Sequence, residues 1–119
     1  MKKFLYMIFL IPLLSYGQGA IKEKGDFADG LVVVEFNASF NSANEVPWLG
    51  KLIDCTTDRV DIAADSRWAK EYKIVVVPTL VIFNNGEEVK RFQANIMMQL
   101  EANETDVQEA VDEVIMSAF

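Results

Sequence analysis

The sequence predicts a single α/β domain with a mixed central sheet flanked by helices, and three observations predict it. Leu31 to Phe36 is an almost unbroken apolar run rich in valine, the pattern of a strand covered on both faces. Asn85-Gly86 stands between two further strand-like runs, Leu80 to Phe83 and Glu88 to Gln93, and so predicts an antiparallel hairpin. Val107, Ala110, Val111, Val114 and Ile115 recur at helical spacing, and Thr105-Asp106-Val107-Gln108 fits a capping box, so an amphipathic helix is expected there. With 119 residues, half of them hydrophobic, the chain has room for one domain and a modest core.

Taken in order, the chain begins with Lys2 and Lys3, the apolar run Phe4 to Leu14 and the small-residue motif Ser15-Tyr16-Gly17. Residues 1–17 read as a secretory signal. The apolar run is too short for a membrane-spanning helix, which takes about 20 residues. The protein is therefore expected to be exported, to a periplasmic or extracellular compartment, with membrane contact only through an uncleaved signal. Residues 18–30 are short and charged, and read as a linker or helical turn ahead of a domain over 31–119. After the Leu31 to Phe36 strand, Asn37 to Asn44 is a polar loop of small residues. Glu45 to Asp54 places Val46, Trp48, Leu49, Leu52 and Ile53 on one helical stripe, with Pro47 in the first turn, where no backbone donor is lost. Val60-Asp61-Ile62 is a candidate short strand. Ser66 to Tyr72 reads as a helix with Trp68, Ala69 and Tyr72 facing the core.

Composition removes several function classes. The net charge is −7, from 11 basic and 18 acidic residues, which makes nucleic acid and anionic membranes poor partners. Histidine is absent, and with it the usual general base near neutral pH and the commonest transition-metal ligand. The acidic run Asp54, Asp58, Asp61, Asp65 lacks the loop glycine and terminal glutamate of a calcium hand and reads as solvated surface. No metal or cofactor motif is found. A single cysteine, Cys55, cannot form an intramolecular disulfide. It follows the helix expected over Glu45 to Asp54, at a C-terminal end where the dipole disfavours a thiolate. Asn37-Ala38-Ser39 and Asn103-Glu104-Thr105 are glycosylation sequons only in a host that reads them.

Two segments carry a resemblance. Val34-Glu35-Phe36-Asn37-Ala38-Ser39-Phe40-Asn41-Ser42-Ala43-Asn44, and downstream Tyr72-Lys73-Ile74-Val75-Val76-Val77-Pro78-Thr79-Leu80, resemble the active-site strand and loop and the cis-proline segment of the thioredoxin family. The resemblance covers roughly residues 31–115 and implies a truncated thioredoxin-like fold lacking the family's first strand and helix. The family's loop reads Trp-Cys-x-x-Cys. Here Phe40 replaces the tryptophan, and Asn41 and Asn44 replace both cysteines. Dithiol exchange needs a low-pKa thiolate and a resolving thiol, and an asparagine amide supplies neither. At a helix start, however, asparagine caps well, so Asn41 or Asn44 is expected to act as an N-cap.

The resemblance further implies that Phe40, Asn41, Ser42, Ala43, Asn44, Val77, Pro78 and Thr79 line a groove for an extended peptide, held by main-chain hydrogen bonds at the residue before Pro78. Glu35 falls where the family keeps a buried carboxylate, and Arg59 where it keeps a basic partner. Without thiols to serve, the two are expected to form a structural ion pair, because a lone buried carboxylate costs several kcal/mol. The helix from Glu45 is about two turns shorter than the family's. The leading expectation is a non-catalytic exported protein that binds a peptide or protein partner. Two alternatives stand beside it: a redox protein acting through Cys55 alone, and a structural subunit attached through the apolar segment Ile96 to Leu100. Partner identity and oligomeric state are left open.

Overall fold

The computed structural model describes residues 27–119; the expected signal over 1–17 and most of the 18–30 segment lie outside them. The described chain runs β1 (Leu31–Asn37), β2 (Thr56–Asp61), α1 (Arg67–Tyr72), β3 (Thr79–Asn84), β4 (Glu87–Gln93) and α2 (Glu104–Ser117), with short 3-10 segments at Ser39–Asn44 and Leu49–Lys51. The sheet order is β2-β1-β3-β4. β1 pairs parallel with β2 and antiparallel with β3, and β3 pairs antiparallel with β4. This is the mixed sheet expected from the sequence.

The central strands β1 and β3 bury both of their faces, which is why they read as continuous apolar runs. Val32, Val34, Phe36, Val81 and Phe83 face one core layer with Trp68 of α1. Val33, Leu80 and Ile82 face the other, against Val107, Ala110 and Val111 of α2 and Val46, Leu49 and Leu52. Phe27, placed by sequence in a linker, belongs to the first layer. It is 1% exposed and its ring lies 5.2 Å from Phe83 and 5.8 Å from Tyr72. It covers part of a sheet face that the six-residue α1 is too short to cover alone.

Local chemistry explains the element ends. Asn85 and Gly86 both adopt positive φ, 52° and 87°, as a type I′ turn requires. The Asn85 side chain also accepts from Gly30 N–H at 3.0 Å. Arg91 of β4 donates to the carbonyls of Tyr72 and Lys73, satisfying the last turn of α1, whose terminus turns at Lys73 with φ 55°. The capping box of α2 sits two residues earlier than expected: Asn103 accepts from Asp106 N–H at 2.8 Å while Asp106 accepts from Asn103 N–H at 3.0 Å. The asparagine–aspartate pair prevails over Thr105 and Gln108 because asparagine is the stronger cap.

The helix expected over Glu45–Asp54 does not form. Glu45 leaves the 3-10 segment with ψ 141°, and only Leu49–Lys51 turns helically beyond it. Two causes act on Val46. A residue before proline is disfavoured in the helical region, and Pro47 follows it. Both backbone groups of Val46 are also claimed from below, its N–H donating to Glu35 Oε2 at 3.0 Å and its carbonyl accepting from Arg59 Nη2 at 2.8 Å.

Candidate functional site

The site is built where the end of β1, the Ser39–Asn44 segment, the Val77–Thr79 segment and the loop after β4 converge. At its base, Glu35 on β1 lies opposite Arg59 on β2. Their side chains pair at 2.9 Å, and Arg59 also reaches Glu45 at 3.0 Å. Glu35 is 1% exposed and accepts from Arg59, Val46 N–H and Asn37 Nδ2. Burial raises its pKa above the ordinary 4.5, and the Val46 hydrogen bond and the Arg59 charge offset only part of that rise.

Above this pair lies a one-directional chain of amides. Asn44 Nδ2 donates to Asn41 Oδ1 at 2.9 Å, Asn41 Nδ2 to Asn37 Oδ1 at 3.2 Å, and Asn37 Nδ2 to Glu35 Oε2 at 3.3 Å. Asn41 Nδ2 also donates to the Met98 carbonyl at 3.1 Å and makes a long 3.5 Å contact with the Val77 carbonyl. The two asparagines in the cysteine positions are thus joined by a hydrogen bond, and Asn41 ties three loops together. The expected capping role is not what they perform: the residue flanking the 3-10 segment is Ala38, and no side chain caps it. Asn41 is instead 4% exposed, and its non-helical backbone, with φ −115° and ψ 23°, turns its side chain inward.

The residues expected to line a peptide groove divide into two sets. Phe40, Ser42 and Ala43 are exposed and Asn44 is half-buried, whereas Asn41, Val77, Pro78 and Thr79 are buried. The Val77–Pro78 peptide bond is cis. Thr79 turns its hydroxyl back to the Val76 carbonyl at 2.7 Å. The loop after β4 packs against this segment, with Ala94 N–H donating to the Pro78 carbonyl at 3.1 Å. The Ala94 bond continues the β3–β4 ladder, and the expected groove residues Val77, Pro78 and Thr79 lie buried with Asn41 set against the Val77 carbonyl. What remains open is a rim, the apolar side chains on the three loops that meet at Asn41: Phe40, Val75, Ile96, Met97 and Met98. On the side of Trp48 lies a cleft of about 350 Å³ bordered by Ala43, Pro47, Trp48, Gln99 and Leu100. On the β2 side, a second hollow of about 200 Å³ exposes the neighbourhood of Glu35, Ser39, Glu45, Arg59 and Asp61.

Cys55 is half-buried and unpaired. No helix ends at it, contrary to the sequence expectation. Its thiol is nonetheless pushed above its ordinary pKa, first by burial and then by the carboxylates of Asp54 and Asp112. Neither sequon asparagine has an uncommitted side chain: Asn37 belongs to the amide chain and Asn103 caps α2. Among the described residues, no three potential ligands cluster to hold a metal ion.

No family model and no curated protein matches the chain. Solved structures do. A mutant thioredoxin from Halobacterium salinarum NRC-1 is 22% identical, with a TM-score of 0.59 over 74% of this chain and 77% of that one. A thioredoxin from Fasciola hepatica is 28% identical, with a TM-score of 0.55 over 75% and 85% of the two chains. The oxidised thioredoxin from Plasmodium falciparum is 18% identical, with a TM-score of 0.56 over 76% and 88%. The chain has a thioredoxin-like fold in which one cysteine remains and the Cys-x-x-Cys motif does not.

Proposed function

We propose that the chain is a non-catalytic, exported thioredoxin-fold protein that binds a peptide or protein segment through the apolar rim around Asn41. The observation that carries this reading is the exposure of Phe40 (74%), Val75 (79%), Ile96 (98%) and Met97 (67%) on three loops that the single Asn41 side chain joins. Exposed apolar patches of this kind mark interaction sites, and methionine adapts its shape to a partner. The adjoining cleft beside Trp48 and Leu100 would take an apolar side chain of the same segment. Recognition would rest on side chains rather than on an added strand at Val77, whose carbonyl faces Asn41.

The single-thiol redox reading is weaker, because a thiol raised above its ordinary pKa carries little thiolate. The structural-subunit reading uses part of the same rim and differs only in the permanence of the partner. Export rests on the signal-like residues 1–17, and the N-terminal sequence of the protein recovered from its native compartment tests it: a start near Gln18 is expected, and retention of Met1 in the cytoplasm would contradict it.

The binding reading is tested by selecting peptides from a phage-displayed library on the domain, then measuring them against Phe40→Ser and Met97→Ser. Both residues are exposed, so the fold should tolerate the changes. Affinity is expected to fall roughly tenfold or more for an anchor residue. Equal binding to all three proteins would overturn the reading.

A further inference from the structure

We propose that Glu35, Asn37, Asn41 and Asn44 form a directional relay that ties the order of the apolar rim to the protonation state of the buried Glu35–Arg59 pair. The inference rests on the rim-binding reading for its functional meaning, but its physical content stands apart from any partner.

Donors and acceptors along the chain set its direction. Every amide in it points its NH₂ toward Glu35. At Glu35 itself only donors arrive: Arg59 Nη1, Val46 N–H and Asn37 Nδ2. This pattern suits a carboxylate, which only accepts. A proton on Oε2 faces two donors and has no acceptor unless the Asn37 amide turns over. Turning it withdraws Oδ1 from Ala38 N–H, bonded at 2.8 Å, and points an NH₂ at the NH₂ of Asn41. Asn41 must then turn as well, which aims its oxygen at the Met98 carbonyl and breaks the bond that ties the rim loop to Asn41, leaving the loop to its internal bonds to Asn95. Oε1 is the poorer proton site, because the Arg59 Nη1 cation donates to it at 2.9 Å and is already shared with Glu45 at 3.0 Å, so the proton belongs on Oε2.

The rim is poised to respond. Met98 has φ 59°, a left-handed conformation uncommon for a non-glycine residue, held by its N–H on the Asn95 carbonyl at 3.0 Å and by Asn41 on its own carbonyl. The carboxylate facing this loop is Glu101, which accepts from Asn95 Nδ2 at 3.1 Å. The groups that govern the proton are few. Arg59 from β2 favours the carboxylate and Glu45 from the following segment opposes it, Asp61 borders the same hollow, and the residue opposite on β3 is the uncharged Leu80. Desolvation dominates and places the transition above 4.5.

The test follows the Glu35 carboxyl by carbon NMR together with the Met97 and Met98 methyl signals and the amide exchange of Asn95 to Gln99, across a pH titration of the wild type without a partner. A common midpoint is expected. Exchange, corrected for its intrinsic pH dependence, should quicken roughly fivefold to tenfold on the acid side, as losing one net hydrogen bond does to an opening equilibrium. Glu35→Gln should abolish the response. Distinct midpoints, a rim that does not respond while Glu35 titrates, a Glu35 that takes no proton before the fold unfolds, or a response that persists in Glu35→Gln would each overturn the relay. None of these outcomes touches the peptide-affinity losses expected of Phe40→Ser and Met97→Ser, so failure of the relay and failure of the binding reading are separable.

Discussion

Glu35 illustrates how one residue can hold a loop in place at a cost to the whole fold. Its carboxyl binds a proton more tightly in the folded chain, with a pKa above 4.5, than in the unfolded chain. Its contribution to stability is therefore fully present below the unfolded value and is lost as pH rises through the folded one. Urea denaturation at a series of pH values should show the wild type losing stability relative to Glu35→Gln between acid and neutral pH; the opposite trend would contradict the assignment. Asn41 carries a simpler expectation. Asn41→Leu keeps the branched shape but removes the bonds to Met98 O and Asn44 Nδ2 and leaves Asn37 Oδ1 with Ala38 N–H alone, and should cost about 1–3 kcal/mol in urea denaturation. No sequence pattern announces such a residue. An asparagine that bridges three loops looks, in one dimension, like an asparagine that caps a helix, and capping was the expectation it replaced.

The elements divide by how local their determinants are. The hairpin at Asn85-Gly86 and the periodicity of α2 were legible because a turn type and a helical stripe are written in adjacent residues. β1 was legible because a doubly covered strand has no polar face to disguise it. The helix over Glu45–Asp54 was not, because its apolar stripe is real but both backbone groups of Val46 are bonded to Glu35 and Arg59, residues distant in sequence. Phe27, one aromatic in a charged stretch, gave no sign that it plugs a core; Phe27→Ala should cost about 3–5 kcal/mol on thermal or urea unfolding. The lost helix also has a chemical consequence. A thiolate at the loop would lack the helix N-terminus that lowers its pKa. The double variant Asn41→Cys and Asn44→Cys should therefore alkylate with a pKa near the free-cysteine value of about 8.5, and a strongly depressed value would show that the loop alone can activate a thiol.

Across the molecule as a whole, the mixed sheet and its flanking helices are those of a thioredoxin-like fold, and the Cys-x-x-Cys motif is absent. Asn41 and Asn44 are joined by a hydrogen bond, and Asn41 links the Val77 segment to Met98 in the loop after β4. The apolar rim is what remains accessible. The fold and the loss of the dithiol were readable in the sequence, since both are matters of residue type and order. The burial of Asn41 against Val77 and Met98 was not, since it depends on contacts between residues 36 and 57 positions apart. Binding at the rim is read out residue by residue in chemical-shift mapping of the isotope-labelled domain with a library-selected peptide. Perturbations are expected to concentrate at Phe40, Val75, Ile96, Met97 and Met98 and along the cleft at Trp48 and Leu100. Perturbations confined to α2 and β4, with the rim unmoved, would contradict rim binding.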